Sequence, residues 1–150
     1  MAEAKINFTG SSFLSGISLS DQPGSAYILS DVRGWDEGPE IDRESVARWN
    51  GRGSFVSNRT RVDVRTVEVE FYADLSTNNF NSLMADLSRM RSVRNVSLTI
   101  TRGSKTERLT SGFISTPATV SRLGKATIVR IVIDFANPYI IDTTSGAERL

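Results

Sequence analysis

Thr60-Arg61-Val62-Asp63-Val64-Arg65-Thr66-Val67-Glu68-Val69-Glu70-Phe71-Tyr72 is the stretch that decides the fold class. Val62 and Val64 share one face of an extended chain, while Val67, Val69 and Phe71 share the other parity. Alternation of this kind belongs to a half-buried β-strand, because successive side chains point to opposite faces. The phase slips between Val64 and Val67, which predicts a bulge or sharp bend near Arg65-Thr66. Asp63, Arg65, Glu68 and Glu70 take the alternate positions and are expected to face solvent or a partner.

Working outward, the period changes directly after this strand. Ser76-Thr77-Asn78 is suited to capping a helix. Phe80, Leu83, Met84, Leu87 and Met90 then recur at helical spacing, which predicts a helix over about residues 77–91 with one apolar stripe facing a sheet. Val96-Ser97-Leu98-Thr99-Ile100 is a strand, Arg102-Gly103-Ser104-Lys105 a turn, and Glu107-Arg108-Leu109 the return of a hairpin. A second turn at Arg122-Leu123-Gly124-Lys125 leads into the strand over residues 126–135. That strand is apolar on both faces, as in a central or doubly covered position. Upstream, Tyr27-Ile28-Leu29-Ser30-Asp31-Val32 reads as a strand. Residues 1–26 are expected to be an N-terminal arm or first strands, residues 27–141 the β-sandwich domain, and residues 142–150 a flexible tail. The expected class is mainly β (α+β): an antiparallel β-sandwich or split barrel with one packed helix.

Between the first clear strand and the deciding one, about residues 33–59, periodicity is weak, and a long extended loop is expected there. Its charge is sorted. Residues 31–44 carry six acids (Asp31, Asp36, Glu37, Glu40, Asp42, Glu44) against Arg33 and Arg43. Residues 45–65 carry five arginines (Arg48, Arg52, Arg59, Arg61, Arg65) against Asp63. Two readings fit: a hairpin that neutralises itself within one chain, or head-to-tail pairing of one subunit's acidic half with the next one's basic half. Trp35 and Trp49 are either core residues or interface anchors, since Trp and Arg are enriched at interface centres. The candidate inter-subunit residues are Arg33, Trp35, Asp36, Glu37, Arg48, Trp49, Arg52 and Arg59.

Composition narrows the chemistry. The 150 residues contain no Cys and no His, which removes disulfides, thiolate metal sites, His-ligated zinc and His-based triads together. Of the 18 basic residues only Lys5, Lys105 and Lys125 are lysine, so fifteen are arginine, which makes planar, weakly hydrated contacts suited to interfaces. A net charge of +1 gives no general case for nucleic-acid affinity. Glu68 and Glu70 share one face but alternate with apolar residues as on an ordinary solvated strand; no carboxylate pair is assigned a catalytic role. Gly51-Arg52-Gly53 lacks the rest of a dinucleotide loop. No catalytic, cofactor or metal residue is expected, and the chain is not expected to be an enzyme. The start, Met1-Ala2-Glu3-Ala4-Lys5, is polar and no apolar span follows, so synthesis in a cytoplasm without a membrane segment is expected. The sequons Asn58-Arg59-Thr60 and Asn95-Val96-Ser97 are then chance matches.

These pieces have a familiar order. A strand and turn end in Arg33-Gly34-Trp35, a Gly/Arg segment follows at Trp49-Asn50-Gly51-Arg52-Gly53, and then an Arg-led strand. A helix on Leu83-Met84-Ala85-Asp86-Leu87, a hairpin, and a strand closing in Asp134-Phe135-Ala136-Asn137-Pro138-Tyr139 complete it. Over roughly residues 25–141 this resembles the N-terminal domain of phage distal tail (Dit) proteins, a family of minor tail proteins of long-tailed phages. The resemblance implies a virion structural protein that forms a hexameric ring joining tail tube to tip or baseplate. The implied partners are further copies of itself, neighbouring tube and tip proteins, and tape-measure protein or DNA passing through the lumen without tight binding. Two alternatives stand beside it: a tail tube protein of stacked hexameric rings, and a monomeric carbohydrate- or peptide-binding β module.

Overall fold

The computed structural model describes the backbone of residues 2–8, 17–22, 24–38, 41–47, 54–62 and 64–150, with side chains outside 41–47 and 54–62. In chain order the strands are β1 (Ala2–Asn7), β2 (Ile17–Ser20), β3 (Ile28–Arg33), β4 (Ile41–Ala47), β5 (Ser54–Val62) and β6 (Arg65–Asp74). The helix α1 (Thr77–Ser92) comes next. It is followed by β7 (Val96–Arg102), β8 (Lys105–Phe113), β9 (Thr119–Leu123), β10 (Ala126–Phe135), β11 (Ile140–Asp142) and β12 (Glu148–Arg149).

One sheet runs β12-β11-β8-β7-β1-β2-β3-β6-β10-β9, and an additional β8–β10 pairing closes it on itself. The closure is short: Phe113 and Gly112 of β8 meet Asp134 and Phe135 of β10. Elsewhere β10 pairs with β9 instead, over residues 126–130. The result is a split barrel, one of the two expected forms. All its ladders are antiparallel except β2–β3, a parallel contact at the single pair Ser20↔Ile28. The connection between those strands is far shorter than a true parallel crossover needs, so they touch and diverge. The two tight hairpins, β7–β8 and β9–β10, turn at Gly103 (φ +62°) and Gly124 (φ +63°), the left-handed conformation that glycine adopts without penalty.

The deciding stretch is two strands rather than one bulged strand. β5 ends at Val62 and β6 begins at Arg65, so the phase slip marks the junction. From Arg65 on, alternation is unbroken: Arg65, Val67, Val69, Phe71 and Ala73 are buried. β10 lies between β6 and β9 and turns Val129, Ile131, Ile133 and Phe135 inward, while Ile128 on its other face stays half exposed. The first strands are integral rather than an arm: Ala4, Ile6, Ile17 and Leu19 join the core. The expected C-terminal tail is also built in, with β12 pairing β11 and β11 pairing β8.

Helix α1 starts where Ser76 accepts a hydrogen bond from the Asn79 amide at 3.3 Å and carries Arg89 and Arg91 in its last turn, each satisfying an end of the helix dipole. Leu83, Leu87 and Met90 enter the barrel core, whereas Met84, from the same apolar stripe, remains partly exposed. Asp86 is buried among them and meets Arg89 at 3.1 Å. Burial, and then the Asp86 charge, hold the Tyr27 phenol above its ordinary pKa. The Arg122 guanidinium lies 4.2 Å above the Phe80 ring and donates to the Leu75 carbonyl at 3.0 Å, tying β9 to the start of the helix. No helix among the described residues is long and apolar enough to cross a membrane.

Candidate interaction site

Chain emerging from β3 turns sharply over residues 34–38, and this turn carries three of the candidate interface residues, Trp35, Asp36 and Glu37, with Arg33 at the end of β3 just before it. Gly34 sits at φ +84°, and a Cβ there would run into the Thr66 carbonyl of β6. Only glycine allows so close an approach in that conformation. Its amide donates to Glu37 Oε2 at 2.9 Å. The tightness of the turn drives Trp35 inward, to 2 % exposure. Trp35 is therefore a core residue and offers almost no surface to a partner.

Beneath the turn lies a fully buried arginine, Arg65, which alternation alone placed among the solvent-facing residues. Its Nη1 donates to the Trp35 carbonyl at 2.6 Å, and its Nε donates to the Pro138 carbonyl at 2.9 Å. One guanidinium so joins β6, the turn and the segment after β10. It faces carbonyls instead of a carboxylate, and desolvation is the main reason its pKa is lowered. The sequence signal for this position was the unbroken parity it shares with Val67, Val69 and Phe71.

Asp36 anchors an ion network that joins distant elements. It takes a two-point contact from Arg102 at 3.0 and 3.1 Å, and Arg149 approaches it at 3.5 Å. Arg149 grips Glu107 at 2.7 and 3.1 Å, and Arg102 and Lys105 add contacts to Glu107 at 3.5 and 3.9 Å. The Arg102 hydrogen bonds hold the Asp36 carboxyl below its usual range. Those from Arg149 do the same for Glu107. Arg33 pairs with Asp31 at 2.7 Å on the exposed surface.

The remaining candidates fall on the segment expected to be a long loop. Its described parts form a two-stranded antiparallel hairpin, β4–β5, separate from the main sheet. Asp42 stands opposite Arg61, and the register shifts once between Arg43 and Ser45. Arg59 lies on β5, its side chain outside the described residues. Arg48, Trp49 and Arg52 lie outside the described residues altogether. The acidic half thus splits between a turn packed on its own body (Asp36, Glu37) and a hairpin strand.

Two surface features adjoin the turn. A groove of about 230 Å³ lies between β3 and the ends of β1 and β7, walled by Leu29–Val32 on one side and by Ala2, Asp21, Ile100 and Arg102 on the other. Around the outer face of β3, β6 and β10, Glu68 and Glu70 are both bridged by Arg130, at 2.8 and 3.4 Å. A row of Tyr72 and Ile128, opposite each other in the ladder, leaves apolar surface exposed beside them. The Arg130 bridge accounts for that carboxylate pair as a cross-strand charge contact.

No family model and no curated protein matches the chain. Solved structures do. The Dit protein of phage SPP1, described as a paradigm of the hub adsorption apparatus in phages infecting Gram-positive hosts, superposes with a TM-score of 0.63 at 14 % identity. It matches 95 % of this chain and 52 % of its own. A chain of the phage p2 baseplate in its activated conformation with strontium superposes with a TM-score of 0.61 at 13 % identity, over 93 % of this chain and 46 % of its own. The fold is Dit-like, and the match covers more of the chain than the roughly 25–141 span of the sequence resemblance. The chain spans about half the length of the solved chains it matches.

Proposed function

We propose that the chain is a structural subunit of a phage tail, forming a ring of six copies at the distal end that joins the tail tube to the tip or baseplate. The observation that carries this is the superposition of 95 % of the chain on a distal tail hub protein. The arrangement of strands around the turn supports it. The hairpin β4–β5 is paired with nothing else in its own chain among the described residues. Its described strands carry Asp42, Arg43 and Glu44 on β4 and Arg59 and Arg61 on β5, charges of both signs that suit a head-to-tail contact in a closed ring. In this reading the interface is built from Arg33, Arg48, Trp49, Arg52 and Arg59, with Asp36 and Glu37 at its edge. Trp35 leaves the set because it is buried. Neighbouring tube and tip proteins contact the two ring faces, and the lumen passes tape-measure protein or DNA without tight binding, in keeping with a net charge of +1. The role is architectural rather than catalytic, and the site of action is the virion tail.

The test is electron microscopy of the purified chain with sedimentation over a wide concentration range. Closed rings are expected. Long stacked tubes would reassign the chain to the tail tube, and a strictly monomeric species at high concentration would refute the reading. Reversing Arg48 and Arg52 to Glu is expected to weaken ring assembly. Full assembly by that double variant would remove both residues from the interface.

A further inference from the structure

Charges without a partner gather around α1. The helix with its flanks (residues 75–94) and the segment between β8 and β10 (residues 114–125) carry Arg89, Arg91, Arg94, Arg122 and Lys125 against a single acid, Asp86. Asp86 is buried and meets Arg89. Arg91, Arg94, Arg122 and Lys125 form no ion pair among the described residues. A chain of net charge +1 thus concentrates a positive surplus on one flank. A groove of about 180 Å³ opens within it, lined by Met84 and Leu87 from the helix, by Pro117, Ala118 and Val120 from the approach to β9 and β9 itself, and by Arg91. Met84 is the member of the helix stripe that the core does not take, 38 % exposed where Leu83 and Met90 are fully buried. Arg122 follows Val120 on the same face of β9. It is fixed over the Phe80 ring and by the Leu75 carbonyl, so a cation stands toward the start of α1 and Arg91 toward its end.

The groove is smaller than the ~300 Å³ at which small-molecule sites usually begin, so it suits one apolar side chain of a larger partner. A phosphate backbone asks only for cations and gains nothing from an apolar slot. An acidic polypeptide with an apolar anchor uses both features. A second copy of this chain suits it poorly, because six of its acids, Asp31, Asp36, Glu68, Glu70, Asp86 and Glu107, are already paired with its own arginines. We propose that the groove beside α1 docks an acidic segment of an unlike protein, which inserts an apolar side chain between Met84 and Ala118 and sets carboxylates against Arg91, Arg94 and Arg122. The site stands on the groove and its charge. That its occupant is a neighbouring tail protein rests on the reading given above.

The test is fluorescence anisotropy of the full-length chain with labelled probes: a short peptide of glutamates around two leucines, the same peptide with lysine for glutamate, the same with serine for leucine, and a short DNA duplex. Only the first is expected to bind, and more weakly as salt rises. Arg91→Glu with Arg94→Glu should raise its dissociation constant about tenfold or more. Met84→Glu, which places a carboxylate in the groove and touches no arginine, should do the same, while Met84→Leu should leave binding intact. Circular dichroism checks that every variant is folded. Equal binding of the serine peptide or of the duplex, no binding of the acidic peptide, or indifference to Met84→Glu would each overturn the docking site. Sedimentation of the same samples separates the two readings. Rings that form normally but do not bind the acidic peptide would overturn the groove and leave the ring standing. A monomer that binds it as described would keep the groove and overturn the ring.

Discussion

Replacing Gly34 by Ala tests whether the turn over residues 34–38 is held as tightly as its geometry implies. Gly34 has φ +84°, and an added Cβ would collide with the Thr66 carbonyl oxygen. The left-handed conformation alone costs an L-residue about 1–2 kcal/mol. Forcing extra volume against a packed backbone typically costs about 1–3 kcal/mol more. Relief by moving the turn would draw the Trp35 carbonyl away from Arg65 Nη1, now at 2.6 Å, a hydrogen bond from a charged donor that contributes about 1.5–3 kcal/mol. The substitution should therefore destabilise by at least about 2 kcal/mol, a large share of the ~5–15 kcal/mol that holds a domain together. Two controls separate the terms. Gly103, at φ +62°, has nothing within 4 Å of an added Cβ, so its Ala variant should lose only the ~1–2 kcal/mol of conformational strain. Gly112 has an ordinary φ but would place a Cβ 2.5 Å from the Val96 carbonyl oxygen and 2.8 Å from Phe135, so its variant should show crowding alone, about 1–3 kcal/mol. Urea unfolding followed by fluorescence and circular dichroism, fitted as two states with unchanged m-values, measures all three. Gly34→Ala proving no worse than Gly103→Ala would refute the argument.

The ion network should make stability fall in acid. Glu107, whose folded pKa lies below its ordinary 4.5, adds stability that is fully present above that value and is lost as pH drops through the folded pKa. Glu107→Gln should flatten the dependence of the urea midpoint between about pH 5 and 3 and lower stability at pH 7 by about 1–3 kcal/mol. Ser76→Ala removes the acceptor for the Asn79 amide and should cost about 1 kcal/mol in the same assay. Leu83→Ala opens a cavity beneath α1, where Leu83 is fully buried. It should cost about 2–5 kcal/mol; a loss under 1 kcal/mol would mean that the helix is not docked as described.

Local periodicity carried the secondary structure. Val67, Val69 and Phe71 announced a strand, and Phe80 to Met90 a helix one residue shorter than the observed Thr77–Ser92. Arg65 has the parity of Val67 and Val69, but its charge and its alternation with Val62 and Val64 argued for solvent. An arginine is placed inside only when buried carbonyls are waiting for it, and those of Trp35 and Pro138 lie 30 and 73 residues away. For the same reason the partners of Asp36 were invisible: Arg102 and Arg149 are separated from it by 66 and 113 residues. The weakly periodic stretch over residues 33–59 looked like a loop, whereas its described parts form a two-stranded sheet separate from the main one, with a register shift between Arg43 and Ser45 that breaks the alternation.

What the amino-acid order settled alone is therefore the class of the protein: many short strands, one amphipathic helix, no imidazole or thiol for catalysis, and a charge-sorted segment. These are local or compositional properties, set by side-chain period and residue type. Tertiary structure alone decided the closure of β8 on β10, the burial of Trp35 and Arg65, and the engagement of the Arg65 guanidinium by the Trp35 and Pro138 carbonyls. Each of those depends on which distant backbone groups find partners, and hydrogen-bond satisfaction across the chain leaves no periodic trace in sequence.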